Sequence, residues 1–182
     1  MRYSPRRPLP RYAYVPGRQP HPVTDPRGHS FGIPSEPAVP LDPSQPHDSE
    51  EFLFAIDLFN AGYYWEAHES WERLWLAAGR AGPVAALLKG LIKLAAAGVK
   101  SREGNLAGVR RHAIRAAELL SLSEEDRLKL QGLFESIDGL KLLSEIRAFA
   151  DQPTVDTTPV AAGLCVLPMK IVFQPRTVHS EN

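Results

Sequence analysis

The chain has 182 residues, with 21 basic and 21 acidic side chains, six histidines and one cysteine. The balanced charge argues against a generic polyanion binder, and the lone Cys165 excludes an intramolecular disulfide framework or a cysteine-rich zinc site. No apolar run approaches the roughly 20 residues that span a bilayer, and the N-terminal stretch lacks the apolar segment of a secretory signal, so no membrane role is expected and the expected address is the cytoplasm.

Residues 1–47 form the first unit. Twelve of the 17 prolines lie between Pro5 and Pro46, and the stretch carries six arginines against three acids. Proline at that density forbids helix and central strand, so an extended, polyproline-like arm is expected. Tyr3, Tyr12, Tyr14 and Phe31 favour an arm draped over the body rather than a solvated linker.

Residues 48–150 read as helices. Ser49 with Glu50 and Glu51 opens a first helix, which Gly62 ends. A second helix runs from about Tyr63 to Ala78 and closes at Gly79. Pro83 opens a long third helix to about Ser101, and Gly104-Asn105 breaks it. The fourth runs from about Leu106 to Leu120. Ser123 with Asp126 opens a fifth, and a last helix spans Leu140 to Ala150. Short connections make neighbours antiparallel. Gly62 and Gly104 each stand between two helices with a small residue five positions on, a faint repeat that reads as two stacked helical hairpins. The expected fold is therefore all-α: a compact bundle of five to six antiparallel helices, with the proline-rich arm before it and an irregular tail, 151–182, after it. Within the tail, Leu164–Val166 and Ile171–Phe173 have the look of short strands.

The second helix carries the candidate chemistry. On a helical wheel at roughly 100° per residue, Tyr64, Trp65, Trp71, Trp75 and Leu76 share a broad apolar arc, with Glu66, Ser70 and Arg73 opposite. His68 and Glu72 fall inside the aromatic arc, four residues apart, and Glu69 lies at its edge. Aimed at a core, such groups need partners. One reading is a structural network in which His68 bonds Glu72. The other is a site with His68, Glu69 and Glu72 as catalytic acid–base groups, walled by Tyr64, Trp65, Trp71 and Trp75. His68 and Glu72 would also suit a divalent metal, although His-Glu-Ser-Trp-Glu departs from the two-histidine zinc pattern. Further ligands would then have to come from elsewhere, such as His112, His21 or His29.

The third helix places Lys89, Lys93 and Lys100 in a stripe of roughly 40°, and the fourth carries Arg111, Arg115 and Glu118 on one side. Lys93, Arg111 and Arg115 would either rim a site for an anionic ligand or neutralise Glu69 and Glu72. Cys165 reads as an inert thiol.

These residues resemble a known family. Phe59-Asn60, Gly62, Tyr64-Trp65-Glu66-Ala67-His68-Glu69, Trp71-Glu72 and Trp75 are similar to the signature of the domain of unknown function 309 family, found in bacteria, archaea and plastids. Leu88 to Ala97, Lys100, Gly104-Asn105, Gly108 and Arg115-Ala116 are similar to its second block. Leu9 to Gly17, His21-Pro22 and Gly28 to Ser30 resemble the extended arm of some members. The resemblance covers about residues 9–120. It implies a small all-helical bundle and no assigned activity.

Two functions follow as expectations. The first is a small-ligand or metal-binding pocket with hydrolase-like acid–base chemistry around His68, Glu69 and Glu72. The alternative is a tetratricopeptide-like module that contacts a protein or RNA through its arm or an outer groove, with a purely structural His/Glu network. The net −3 of residues 48–182 argues against nucleic acid, and a leftover apolar face on the last helices would suit a homodimer.

Overall fold

Helix boundaries follow from local capping. In the computed structural model, which describes residues 2–34, 36–157 and 165–174, a 3-10 turn at Pro46–Asp48 precedes seven α-helices. They are α1 (Glu50–Asn60), α2 (Tyr64–Ala77), α3 (Gly82–Arg102), α4 (Leu106–Leu120), α5 (Glu124–Lys129), α6 (Gln131–Ser136) and α7 (Gly139–Asp151). No strand occurs among the described residues. Ser49, Asn105 and Ser123 each accept a backbone N–H of the first turn of the helix they precede.

Gly62, Gly79 and Gly104 take left-handed φ of 80°, 72° and 77° just past the ends of α1, α2 and α3. Each end closes by the same pair of bonds. After α1, Tyr63 N–H reaches Leu58 O at 2.8 Å and Gly62 N–H reaches Phe59 O at 3.0 Å. After α3, Asn105 N–H reaches Lys100 O at 2.9 Å and Gly104 N–H reaches Ser101 O at 3.0 Å. This is the Schellman closure, and its need for a residue without a Cβ explains why glycine recurs between the hairpin helices.

The helices pack in chain order, α1 on α2, α2 on α3, α3 on α4, with α7 returning onto α4. The expected fifth helix is divided instead. It bends at Leu130, whose φ of −106° leaves helical geometry as its side chain enters the core, and Gly132 beyond the bend lies against the Pro43 carbonyl. That division brings the helix count to seven rather than five to six.

α3 is the hub. Its length and mean hydropathy of 1.5 are enough, by composition alone, for a membrane span, which departs from the expectation that no apolar run is long enough. In the fold that apolarity faces neighbours on both sides. A methyl group at Gly98 would stand 2.4 Å from Tyr64 Cγ of α2, and one at Gly90 would stand 2.7 Å from Leu120 Cγ of α4, so two glycines set the closeness of both contacts.

The arm is draped on the bundle. Tyr3 and Ser4 donate their N–H groups to the buried Asp57 carboxylate, both at 2.8 Å. Arg7 and Arg73 both pair with Glu51; burial works to raise that carboxyl, but the two guanidinium groups outweigh it and hold it below its ordinary range. Tyr63 Oη donates to Pro10 O at 3.1 Å, and Val15, Pro22 and Leu41 are buried.

The tail lies on the helices without forming a sheet. Leu167, Met169, Ile171 and Phe173 are buried while Pro168, Lys170, Val172 and Gln174 are exposed, the alternation of a strand. Most of its partners are side chains, and Gln174 N–H donates to the Ser136 carbonyl at 2.7 Å. Asn60 takes both backbone groups of Ile171, donating at 2.7 Å and accepting at 2.8 Å, and Tyr64 Oη accepts from Val166 and Leu167 N–H. The expected strand at Ile171–Phe173 is thus extended chain satisfied by side chains. Of the other, Leu164 lies outside the described residues, and Cys165 and Val166 are extended without a strand partner.

Candidate metal and ligand site

α2 has α1 on one side and α3 on the other, and this decides which of its residues are covered. Tyr64, Ala67, Trp71 and Leu74 enter the core, and so do Glu66 and Ser70, only 6% and 3% exposed. The face expected to be polar and solvated is therefore covered, by α1 and the arm. Glu66 accepts Tyr14 N–H at 2.9 Å and lies 3.1 Å from His29 Nε2, and Arg73 reaches Glu51 of α1. Conversely Leu76, expected in the apolar arc, is 45% exposed. His68 and Glu72 are not in the core either. They lie half-buried with Glu69, Trp65 and Trp75 along the strip of α2 that its neighbours leave open.

In that strip one ligating atom from each of His68, Glu69 and Glu72 lies within 4.8 Å of the others. Helix geometry accounts for it. Glu72 is one turn beyond both His68 (i+4) and Glu69 (i+3), so its carboxylate neighbours each of them. His68 Nδ1 lies 3.3 Å from Glu69 Oε1, so the partner of His68 is Glu69 rather than Glu72. Among the described residues this is the one cluster of three metal-ligating side chains so spaced.

Trp75 stacks under a cation, with Lys89 Nζ 3.8 Å from its ring centroid. At the other end of the strip, Trp65 meets the rings of Tyr14 and His21 edge-on, at 5.3 Å and 5.4 Å, so the arm supplies part of this wall. Tyr64 and Trp71 are core residues. Tyr64 holds the tail, with its hydroxyl 3.2 Å from Cys165 Sγ, and Trp71 packs on Phe59.

α3 contributes the floor. From Ala85 to Arg102 only Ala86, Lys89, Lys93, Ala96 and Lys100 escape full burial, a spacing of three and four that draws one stripe between α2 and α4. Lys93 is held below its ordinary range by burial first and then by Lys89 and Arg115, with Glu72 opposing and Arg111 adding to the effect. His112 of α4 is likewise lowered, by burial and then by Lys93, Arg111, Lys100 and His68. These mutual influences put α2, α3 and α4 residues on one face.

Of the histidines weighed as extra ligands, His112 shares this face, His21 borders it through Trp65, and His29 is held by Glu66 elsewhere. Arg115 pairs with Glu118 at 2.7 Å. Among the described residues none of Lys93, Arg111 or Arg115 forms an ion pair with Glu69 or Glu72, while Glu72 favours the charged form of Lys93 from a longer range.

Residues 52–112 match the family described as Domain of unknown function (DUF309). The match runs from α1 into α4 and takes in the whole triad, the α3 stripe, Arg111 and His112. No curated protein and no solved structure matches the chain.

Proposed function

We propose that the DUF309 domain of this chain binds a divalent metal ion at His68, Glu69 and Glu72 and presents it to a small ligand seated over the α3 stripe, for acid–base chemistry of the hydrolase type. The observation that carries this reading is the convergence of three ligating groups on one half-buried face. Donors held at about 2.0–2.2 Å from one ion stand roughly 3–4.4 Å apart, close to the spacing of the triad's ligating atoms. One imidazole and two carboxylates suit a first-row divalent ion, and three protein ligands leave open positions for water or ligand.

The bound ion would act as a Lewis acid on a ligand oxygen. This chain's own groups would do the rest. His112, whose charged form is disfavoured by burial and its cationic neighbours, would accept a proton on the same face. Trp65 and Trp75 flank the triad along α2 and limit the access of bulk water. The test is metal content by mass spectrometry of untagged protein purified without chelator, for wild type and His68→Ala. One equivalent of a transition metal in the wild type and a loss of at least about tenfold in the variant is expected. Equal metal content in both proteins, or none in either after incubation with zinc or manganese, overturns the reading.

A further inference from the structure

The α3 stripe carries more positive charge than its surroundings use. Lys89, Lys93, Arg111 and Arg115 lie close enough for Lys89, Arg115 and Arg111 all to disfavour the charged form of Lys93. Arg115 is matched by Glu118 and the Lys89 ammonium sits on the Trp75 ring. Lys93 and Arg111 have no hydrogen bond or ion pair among the described residues. Lys93 is also the middle of the stripe, with the short side chains of Ala86 and Ala96 along the same line. Folding brings these like charges together against Coulomb repulsion, and an anion lodged between them would relieve it.

We propose that this face recognises a small molecule bearing a phosphate group, with Lys93 and Arg111 as its binding residues and the metal triad one helix away. Two unpaired cations with a third and fourth beside them fit a dianion better than a single carboxylate. A guanidinium also offers the paired donors that phosphate oxygens accept. The inference deepens the reading of this face as a ligand site and rests on it. The spacing is suited to chemistry on the phosphate ester, because an anion held over Lys93 stands beside Glu72, the carboxylate that Lys93 feels. His68 and Glu69 lie beside Glu72 on α2, within the same cluster.

The experiment is isothermal titration with inorganic phosphate and, separately, with a phosphate monoester such as phenyl phosphate. It is run on the full chain with chelator present and again after loading with manganese. Wild type, Lys93→Met, Arg111→Met and the remote control Lys129→Met are compared, each checked by circular dichroism. Saturable binding is expected to weaken at least about tenfold in the first two variants and to stay unchanged in the third, since each removes a charge-assisted contact. Phosphate binding that is absent, or equal in all four proteins, overturns the inference. Neither position is in the core, Lys93 being half-buried and Arg111 exposed, so each takes a methionine without a core change. A folded Lys93→Met with wild-type phosphate affinity therefore counts against the proposal. The arms also separate the two readings. Metal binding without a Lys93-dependent anion leaves the triad standing alone, and a Lys93-dependent anion in a protein that takes no metal leaves the anion site standing alone.

Discussion

His29 Nε2 lies 3.1 Å from Glu66 Oε1, with both side chains more than nine-tenths buried, and this contact ties the proline-rich arm to the helix that carries the triad. The same carboxylate oxygen accepts Tyr14 N–H, so one side chain of α2 fixes the arm at two points. Trp65, one residue earlier in the helix, then meets Tyr14 and His21. Anchoring the arm and shaping one wall of the site are therefore the same structural event.

Replacing Glu66 by Ala should free the arm. It leaves the buried Tyr14 N–H and His29 without their acceptor, at a cost of about 2–4 kcal/mol. The expected result is a lower melting temperature together with rapid tryptic cleavage at Arg11, Arg18 or Arg27, while helical circular dichroism persists. An arm as protected as in the wild type would contradict this role.

Gly98→Ala reads the packing of α2 on α3. In an exposed helix the change stabilises by about 1 kcal/mol. Here the new methyl meets the Tyr64 ring at 2.4 Å, so a net loss of about 1–3 kcal/mol in urea unfolding is expected. A gain in stability would show that α2 shifts freely away from α3.

The helix ends and the lack of α-helix in the described part of the arm were legible in the sequence because their causes are local. Glycine at 62, 79 and 104 closes a helix by bonds within six residues, and proline acts on its own backbone. The burial of α2 was not legible, because its partners are remote in sequence. Glu66 and Ser70 read as a solvated face only while the arm is left out. The acceptor of Tyr14 N–H lies 52 residues away from it. His68 and Glu72 fall on the aromatic arc of an isolated wheel, yet α1 and α3 leave that strip open. The tail shows the same limit. Its alternation at Ile171 and Phe173 is that of a strand, but nothing in the sequence announces that the Asn60 amide takes the place of a second strand.

His112 makes the site sensitive to pH. Burial, Lys93, Arg111 and Lys100, with His68 from α2, hold its titration below the ordinary value of about 6.5. The folded protein therefore binds fewer protons than the unfolded chain once pH falls below that value. The His112 contribution to stability is flat above it, falls as pH drops through the window, and levels off below the folded-state titration. Comparing urea unfolding at pH 8 and pH 5 in wild type and His112→Gln isolates this part. The variant should lose less stability on acidification. By nuclear magnetic resonance, Lys93→Met should move the His112 titration upward, since it removes a neighbouring cation. An unmoved titration would show that Lys93 has no part in setting it.

Tyr64→Phe should loosen the tail while leaving the bundle in place. Its hydroxyl accepts Val166 N–H at 2.8 Å and Leu167 N–H at 3.0 Å, and losing both leaves two backbone donors unpaired, at about 1–3 kcal/mol. Faster reaction of Cys165 with a thiol reagent is the direct readout, because that thiol rests on the same hydroxyl. Unchanged thiol reactivity would place the hold on the tail elsewhere.

The central claim is that His68, Glu69 and Glu72 hold one metal ion. Anomalous diffraction from crystals grown with manganese, and separately with zinc, tests it most directly. A single strong peak is expected on the open strip of α2, about 2.0–2.3 Å from a His68 nitrogen and a Glu72 oxygen, and none in His68→Ala crystals. Excess metal with no peak at these residues, or a peak that persists in the variant, would contradict it.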